Sequence, residues 1–408
     1  MKIAIIGSGA SGMVAAYLLN NKHHVTVFEK QPILGGNIRT LNKNVKSTQC
    51  QSNVYLEGGV IEFPLKFYNF IKLMIELGVE LEPVDIGSSL FFKDGRRFLS
   101  ASANRKNCTR IKSFIEYIKF NSLYARSAYF SLKTHFVTAQ DLYNKSMAEY
   151  LRSDCIRNCW IKLMTMYSYS MPYEIISEFP AELAIPALRE YVYTGWVRIK
   201  GGVYSYIEKI LDKFNGDILS NVEIIDISRK LDVVKIKLAS GATYKFDKVI
   251  FATPPDQVLK LLSDPTDEEI KRFSAWNKNT ATTVLHTDAS IYNRYGIQKY
   301  SEFDFFQTEK SWGYNAYLNQ LCGVPTNIDN PQYNLAFNLN SLINKNKIIH
   351  TFEHHTPLYT VEAFKHRNEI IKTNGENNTY HAGAYLADGL HEGAVTSAIR
   401  VATTINKL

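Results

Sequence analysis

The residues best suited to chemistry stand near the start of the chain, in the run Gly7-Ser8-Gly9-Ala10-Ser11-Gly12. This run separates an apolar strand pattern, Lys2–Ile6, from a helix pattern over 11–20. The first glycine permits a tight turn, the second lets the backbone approach a pyrophosphate, and the third lets helix and strand pack closely. The helix N-terminus then faces the phosphate charge. The spacing predicts a dinucleotide site formed by Gly7, Gly9, Ala10, Ser11 and Gly12.

An acidic residue extends this prediction. Glu29 ends the next strand pattern, which begins at His24, and the three segments make a βαβ unit of about 30 residues. A carboxylate at this place accepts hydrogen bonds from a ribose hydroxyl and repels a 2′-phosphate. NADP is therefore disfavoured, and Glu29 joins the predicted site together with Lys30.

A second glycine-rich element follows in Leu34-Gly35-Gly36-Asn37-Ile38-Arg39-Thr40. Paired glycines let the main chain run close past a cofactor. NAD-binding domains do not need this element, whereas one large group of FAD proteins has it. The residues resemble the flavin-containing amine oxidase superfamily, which also includes protoporphyrinogen oxidase, phytoene desaturase-like enzymes and a fatty-acid isomerase. The resemblance implies that the dinucleotide is FAD and that Gly35, Gly36 and Asn37 bind it.

The resemblance continues through the middle of the chain. Glu57-Gly58-Gly59-Val60 is similar to the segment that runs beside the flavin, which implies contacts from Gly59 and Val60. Val222, at the start of a predicted strand, matches the residue whose backbone pairs with the adenine. The stretch 246–255 is similar to a strand-to-loop segment near the pyrophosphate, and this likeness adds Ala252 to the site.

The last motif runs from Tyr380-His381-Ala382-Gly383 through Asp388-Gly389-Leu390-His391-Glu392-Gly393-Ala394 into a final helix. In the superfamily, the amides of this second helix N-terminus face the pyrimidine end of the flavin and stabilise the charge of its reduced form. The resemblance implies contacts from Gly383, Leu390, His391 and Ala394. No cysteine lies near this motif, which favours non-covalent FAD. Because the first glycine run and this last motif are expected to bind the same FAD, the two ends of the chain must meet in space.

A narrower resemblance rests on Trp196-Val197-Arg198-Ile199-Lys200-Gly201-Gly202, on the stretches 256–265 and 285–288, and on His355-Thr356-Pro357-Leu358. These residues are similar to a group of bacterial NAD/FAD-binding proteins that accompany cyclopropane-fatty-acid synthases and are linked to fatty-acyl modification. The match covers nearly the whole chain and weakens over 100–190. The departures are Glu57 for the usual Asp, Asn37 for Arg or His, and Gly393 for Asp.

Two classes of enzyme follow from the resemblance. An amine oxidase needs an aromatic cage beside the flavin and a lysine near its N5, and Leu390 stands where the closing motif of amine oxidases carries an aromatic residue. We therefore expect a lipid-directed enzyme instead, a desaturase or isomerase that transfers hydride on an acyl or other hydrophobic substrate. A small-amine oxidase and a non-catalytic FAD-binding protein stay open as alternatives.

A lipid-directed enzyme requires an apolar tunnel and a means of holding an anionic headgroup. The aromatic residues of the central segment are candidates for the tunnel wall or for a plain helix core: Phe114, Tyr117, Phe120, Tyr124, Tyr129 and Phe130. The basic residues Arg105, Arg110, Lys112 and Arg126 are candidates for headgroup binding or for a solvated face. His286 and Asp288 are expected to pack under the flavin, and His354–His355 to cap a loop. No catalytic side chain is assigned.

Composition narrows the class of protein. With 45% hydrophobic and 21% charged residues, the 408-residue chain has the make-up of a globular protein, and its length favours two lobes. The net charge of +8 is scattered, which disfavours nucleic-acid binding. Five cysteines without a CxxC pair disfavour a disulfide framework or a metal site. No apolar run reaches about 18 residues. We expect a cytoplasmic protein, with peripheral contact to the inner face of the membrane left open along with the oligomeric state.

The elements that position these residues predict an α/β fold. We expect a Rossmann-type, glutathione-reductase-like FAD domain of the amine oxidase type, assembled from 1–75, 195–265 and 375–408. A mixed α+β substrate domain should take 76–194 and 266–374, with a mostly helical insert from about 105 to 195. Further helices are predicted over 65–77, stopped by Gly78, and over 203–214 and 392–406. Further strands are predicted over 222–227, 233–238, 248–252, 282–286, 348–353 and 379–383, and prolines 172, 180 and 186 are expected to break helices.

Overall fold

The computed structural model describes residues 1–47, 49–153, 155–230, 232–325 and 331–408. Its strands, in chain order, are β1 Lys2–Ile6, β2 His24–Phe28, β3 Phe63–Pro64, β4 Leu81–Val84, β5 Ser88–Phe91, β6 Arg97–Phe98, β7 Trp196–Ile199, β8 Asp217–Leu219, β9 Ile224–Lys230, β10 Val233–Leu238, β11 Thr243–Phe246, β12 Lys248–Phe251, β13 Lys278–His286, β14 Phe303–Gln307, β15 Trp312–Tyr317, β16 Asn334–Phe337, β17 Ile348–Pro357 and β18 Thr379–His381.

Its α-helices, in the same order, are α1 Ala10–Leu19, α2 Tyr68–Leu77, α3 Ala101–Asn107, α4 Arg110–Thr134, α5 Ala139–Leu142, α6 Ile156–Tyr169, α7 Ala181–Glu190, α8 Tyr204–Leu211, α9 Val258–Leu261, α10 Asp267–Phe273, α11 Leu318–Leu321, α12 Val361–Phe364, α13 Arg367–Lys372 and α14 His391–Ile405. Short 3-10 turns join several of them.

A five-stranded sheet in the order β18-β12-β1-β2-β8 carries the first glycine run. All of its strand pairs are parallel. Two of its three interior strands, β1 and β12, read as continuous apolar runs after their first lysine because both faces of the sheet are covered. Helices α1 and α14 pack on this sheet and against each other, with Val14, Val395 and Ala398 fully buried between them. The predicted Rossmann-type fold is confirmed.

A seven-stranded sheet in the order β17-β13-β16-β15-β14-β5-β6 forms the second large element. Its neighbours run antiparallel except β5 and β14, which are parallel, so the predicted mixed sheet is confirmed. Two three-stranded sheets complete the fold, β11-β10-β9 and β3-β7-β4. Strand β10 alternates exposed and buried residues with the period of two that its sequence predicts.

The local signals for helices are mostly reflected in the structure. Helix α2 ends at Gly78, whose φ of 70° lies in the left-handed region and whose N–H donates to carbonyls of the last turn. The segment between β6 and β7 is helical, as expected. The prediction for Pro186 is wrong, because this proline lies inside α7. It is the sixth of the ten residues of α7, so the helix continues past an interior position that lacks one backbone N–H donor.

No helix in the described parts of the chain is both long enough and apolar enough to cross a bilayer. The longest, α4, has a buried side that faces the rest of the molecule and an outward side with many large apolar residues. This distribution is the reverse of that in an ordinary surface helix.

Candidate functional site

The first glycine run folds into the tight turn between β1 and α1. Gly7 has φ 104°, and a Cβ there would lie 2.8 Å from the carbonyl oxygen of Ala252. A Cβ on Gly12 would lie 2.0 Å from the Gly7 carbonyl oxygen, so helix and turn pack without room for a side chain. Gly9 and Gly36 approach so closely that a Cβ on Gly36 would lie 2.8 Å from the Gly9 Cα. The two glycine elements therefore form one surface.

Glu29 lies at the end of β2 beside this surface. Its Oε2 accepts hydrogen bonds from the Ser8 N–H at 2.9 Å and the Ser8 hydroxyl at 2.6 Å. Its Oε1 accepts one from the Gln31 N–H at 2.8 Å. These bonds fix the carboxylate in one orientation. Oε2 already accepts two hydrogen bonds, whereas Oε1 accepts one and keeps a lone-pair site for a further donor.

A single cavity of about 1180 Å³ begins at this surface. Of the residues predicted from sequence to bind the cofactor, all but one line it: Gly7, Gly9, Ala10, Ser11, Glu29, Lys30, Gly35, Gly36, Asn37, Gly59, Val60, Val222, Ala252, Gly383, Leu390, His391 and Ala394. Gly12 is the exception, because it packs under the turn rather than on the wall. Residues from both ends of the chain thus meet on one wall, as the motifs require.

Val222 differs from its expected setting. Strand β9 begins only at Ile224, and the Val222 N–H already donates to the Glu29 carbonyl at 3.1 Å. The expectation that Val222 starts a strand is wrong, although its place on the wall beside Glu29 agrees with contact to an adenosine.

The N-terminus of α14 faces the cavity with Leu390 as its N-cap residue. Asp388 Oδ1 accepts the N–H groups of Leu390 at 2.9 Å and Gly393 at 2.8 Å. A Cβ on Gly393 would lie 2.4 Å from that oxygen, so glycine at 393 leaves room for the Asp388 carboxyl. His391 donates to or accepts from the Tyr206 hydroxyl at 2.8 Å, and burial lowers its pKa to about 4. The histidine is therefore neutral at physiological pH.

A histidine of the second large sheet lies under the segment 58–59. His354 Nε2 is 2.9 Å from the Gly58 carbonyl oxygen and 3.0 Å from the Thr283 hydroxyl, whereas its Nδ1 has no hydrogen-bond partner in the described parts of the chain. Burial lowers its pKa to about 4. His355 reaches Asp256 at 2.8 Å. Both histidines lie within β17, so the expectation that they cap a loop is wrong.

His286 and Asp288 do not reach the site. His286 is fully buried in β13, where its Nε2 is 2.9 Å from Asn315 and its Nδ1 accepts the Asp288 N–H at 3.1 Å. Neither residue lines the cavity. The expectation that they pack under the flavin is therefore wrong. His286 is satisfied by Asn315 and the Asp288 N–H, and the Asp288 carboxylate accepts the N–H groups of Ser290 and Asn344.

The far half of the cavity is apolar and aromatic. Its walls come from α4, α6, α7 and the seven-stranded sheet. Phe120 and Tyr124 of α4 line it, as a tunnel requires, and their rings stack at 6.3 Å. Phe114 and Tyr129 are exposed on the opposite side of the helix and Tyr117 is exposed at its flank, so neither the tunnel nor the core interpretation holds for them. Phe130 is partly buried under the Arg157 guanidinium.

One carboxyl group interrupts the apolar wall. Glu62 is buried, and its Oε1 accepts a hydrogen bond from the Tyr167 hydroxyl. Its Oε2 has no hydrogen-bond partner in the described parts of the chain. Burial raises the pKa of Glu62 to about 7. Sequence reasoning missed Glu62 and Tyr167, although an acid within the otherwise apolar run 60–63 is a visible signal.

Charge on the wall is uneven. Arg39 lies beside the glycine surface with its guanidinium partly buried, and burial lowers its pKa while the nearby Glu29 opposes that shift. Arg39 lies within the second glycine element, but no sequence pattern predicted it as a site residue. Lys30 is the one lysine on the described cavity wall, and it pairs with Glu223 at 2.8 Å next to Glu29. The apolar half of the described wall contains none.

The residues present fit FAD. A glycine surface that leaves no room for side chains, two helix N-termini on one wall and an oriented carboxylate are what a dinucleotide needs.

Comparison with known proteins bears on this site. Residues 10–289 match the family described as flavin containing amine oxidoreductase. A 41-residue stretch is 49% identical to an uncharacterized protein of Methanocaldococcus jannaschii, and the match covers 10% of either chain.

Solved structures with the same fold cover all of this chain. They include putrescine oxidase bound to putrescine, with TM-score 0.69, 14% identity and 100% of that chain covered. A fatty acid isomerase from P. acnes has TM-score 0.68, 15% identity and 98% coverage of its chain. A putative protoporphyrinogen oxidase from Exiguobacterium sp. 255-15 has TM-score 0.63, 14% identity and 98% coverage. The chain thus belongs to the flavin-containing amine oxidoreductase family and is an FAD-dependent oxidoreductase.

Proposed function

We propose that this oxidoreductase removes hydride from a C–H bond of an acyl chain or similar hydrophobic substrate, as a desaturase or isomerase. The observation that carries the proposal is the apolar, aromatic half of the cavity, which continues directly from the glycine surface. Its apolar walls favour a substrate without charge along most of its length.

The wall residues named above are proposed to bind FAD, with Glu29 on the ribose of the adenosine. When bound there, FAD supplies a two-electron acceptor. Arg39 is proposed to face the pyrophosphate, since a guanidinium matches phosphate oxygens in charge and geometry. The His354–Thr283 pair fixes the Gly58 carbonyl and so holds the neighbouring segment in place on the cavity wall.

We further propose that two different lobes hold the cofactor and the substrate. Residues 1–75, 195–265 and 375–408 hold the cofactor, and 76–194 with 266–374 hold the substrate. In support, each strand of the parallel sheet falls in the first set and each strand of the seven-stranded sheet in the second. Strand β4 crosses the division, because it pairs with β7.

Two features disfavour amines as substrates. Leu390 faces the cavity from the closing motif, where amine oxidases place an aromatic residue. Tyr169 and Tyr191 lie near it, but their hydroxyls are used to hold Asp388, at 3.0 Å and 2.9 Å. The described apolar wall also has no lysine that would meet the requirement of the amine oxidase mechanism.

Glu62 is proposed to handle the proton. Converting a CH–CH unit into a double bond releases one hydride and one proton, and the proton needs an acceptor beside the substrate. The free Oε2 of Glu62 lies on the apolar wall, and a pKa of about 7 suits a group that exchanges a proton near neutral pH. Tyr167 holds the other oxygen.

The test is anaerobic mixing of the yellow holoprotein with fatty acids and acyl phospholipids of different chain length and unsaturation. Loss of flavin absorbance, with a product two hydrogens lighter, identifies a desaturase. A product of unchanged mass with a moved double bond identifies an isomerase. Putrescine and other primary amines are the comparison set, and flavin reduction by such an amine at the rate of its turnover would contradict the proposal.

A further inference from the structure

The outward side of α4 carries an apolar stripe that the rest of the chain does not cover. Seven large apolar residues are exposed on it in two groups, within each of which they recur at helical spacings of three and four. The first group is Ile111, Phe114, Ile115 and Ile118, and the second, eleven residues further on, is Tyr129, Leu132 and, just past the helix, Phe136. Ile111 is 79% exposed and Phe136 is 87% exposed, so these are fully presented side chains. At 100° per residue the stripe occupies one face of the helix, opposite to the buried Glu116 and Ser127.

Basic residues border the stripe. Lys112, Lys119, Arg126 and Lys133 follow one edge at spacings of seven, and Arg110 lies at the other edge. The acid of α4, Glu116, is buried and lies within 3.6 Å of Lys119 and 3.5 Å of Arg97. In the described parts of the chain Arg110, Lys112 and Arg126 form no ion pair. An apolar stripe edged by free cations is the pattern of a helix that lies in the surface of an anionic bilayer.

The inner side of the same helix lines the cavity. Phe120, Leu123, Tyr124 and Ser127 belong to the cavity wall. Tyr124 also contacts Tyr193 edge to face, with ring centroids 5.5 Å apart. Helix α4 therefore has one side on the cavity and the other side facing outward. A partner bound to the outward side would be separated from the cavity only by the width of this helix.

We propose that the outward stripe of α4 docks on an anionic lipid bilayer, with its apolar side chains among the acyl chains and its basic edge at the headgroups. Charge complementarity favours this occupant over a second copy of the chain, since two copies would bring the free cations of both stripes together. The docking needs no turnover, so it stands apart from the proposed redox reaction.

The test is co-sedimentation of the full-length holoprotein with two kinds of vesicle, phosphatidylcholine alone and an equal mixture of phosphatidylcholine and phosphatidylglycerol. We expect binding to the mixed vesicles, weakened but not abolished by high salt, because salt screens the charges and leaves apolar contacts intact. The variant Ile111→Ser/Phe114→Ser/Ile115→Ser should bind at least about tenfold more weakly, since three exposed apolar side chains lose their burial in lipid.

Two controls make the result decisive. Tyr68→Ser/Ile75→Ser removes exposed apolar residues from α2 and should bind as the unchanged protein does. Lys112→Gln/Arg126→Gln should lose mainly the salt-sensitive part. Equal binding by the triple variant, or no binding to mixed vesicles, would overturn the proposal. A dimer in solution that the triple variant converts to a monomer would assign the stripe to a second copy instead. Vesicle binding without any acyl oxidation would leave the docking standing and count against the proposed reaction alone.

Discussion

At the scale of single residues, Glu29 shows how a carboxylate is prepared for a ligand. Ser8 and Gln31 orient it with three hydrogen bonds, so a ribose hydroxyl meets an acceptor that does not have to reorganise. Lys30 adjacent to it is paired with Glu223 and does not compete for the carboxylate. Orientation of this kind strengthens binding because less entropy is lost on association.

Glu29→Ala should therefore weaken FAD by about 1.5–3 kcal/mol, the range for hydrogen bonds to charged groups. Titration of apoprotein with FAD, followed by flavin fluorescence, measures the change. Glu223→Ala is the matched control, since it removes a nearby carboxylate that belongs to an exposed ion pair and does not line the cavity. Equal losses in the two variants would show that general charge, rather than the ribose contact, sets the affinity.

Glu62 makes a second prediction at this scale, on pH. Its pKa rises from an ordinary 4.5 to about 7 on folding, so the folded state holds more protons between these values and stability falls as pH rises through them. This fall in the free energy of unfolding amounts to about 3 kcal/mol, and Glu62→Gln should abolish it. Chemical unfolding of the holoprotein at pH 5 and pH 8 measures it, and the variant should gain on the unchanged protein only at pH 8. Part of the slope should persist, because burial also raises the pKa of Glu57, to about 8. An identical pH slope in both proteins would show that Glu62 is ionised at low pH.

At the scale of elements, the first glycine run meets two requirements: close packing of the turn and free space on the cavity wall. Gly12 serves the fold, because the Gly7 carbonyl occupies the space where a Cβ would stand. Gly9 is not needed for packing, because a Cβ there would meet only the Gly36 Cα, at an ordinary 3.7 Å, and we propose that it is glycine for the sake of the ligand. One glycine is needed to close the turn and the other leaves the wall bare.

The variants Gly12→Ala and Gly9→Ala should consequently behave differently. Gly12→Ala should lower the free energy of unfolding of the apoprotein by about 3 kcal/mol, the upper range for overpacking. Gly9→Ala should leave that stability nearly unchanged and reduce FAD affinity, since its methyl group stands where the pyrophosphate approaches. Denaturant unfolding and FAD titration of both variants decide between the two roles. Unimpaired FAD binding by Gly9→Ala would place the pyrophosphate elsewhere.

Some elements of the fold could be predicted from the sequence, and others could not. Strand β1, helix α1, strand β2 and helix α14 could be predicted because glycine turns and local apolar periodicity specify them. Strands β14 and β16 could not be placed, since each also pairs with a strand distant in sequence, β5 and β13 respectively. Glu62 is visible in the sequence as an acid in an apolar run, but only the fold brings it to the Tyr167 hydroxyl of α6. The stripe of α4 has a visible helical period, but only the fold shows which side faces outward.

At the scale of the whole molecule, the cofactor wall joins residues that are far apart in the chain. It combines the turn after β1 with the N-terminus of α14, and the Glu392 carboxylate at that N-terminus caps α2 by accepting the N–H groups of Asn69 and Phe70. A ligand that touches all these segments stabilises the complete assembly, because it binds the folded chain only.

Removal of FAD should accordingly lower the thermal midpoint and increase proteolysis in both distant segments together. FAD at about a hundred times its dissociation constant should restore roughly 2.7 kcal/mol. Limited proteolysis read by mass spectrometry, with and without added FAD, checks whether cuts near 30–50 and near 383–391 appear and disappear in parallel. Protection of only one segment would mean that the two do not share the ligand.

The placement of β18 and α14 also has a consequence for the order of events during synthesis. Strand β1 leaves the ribosome first, yet β12 and β18 lie on one side of it in the sheet and come more than 240 and 370 residues later. At roughly 5–20 residues per second, the interval between β1 and β18 is about 20–75 s. During that time the first βαβ unit has an unpaired strand edge and an incomplete cofactor wall. FAD can therefore meet the complete wall only after β18 and α14 have been made, and until β12 is made the edge of β1 that it will occupy stays open.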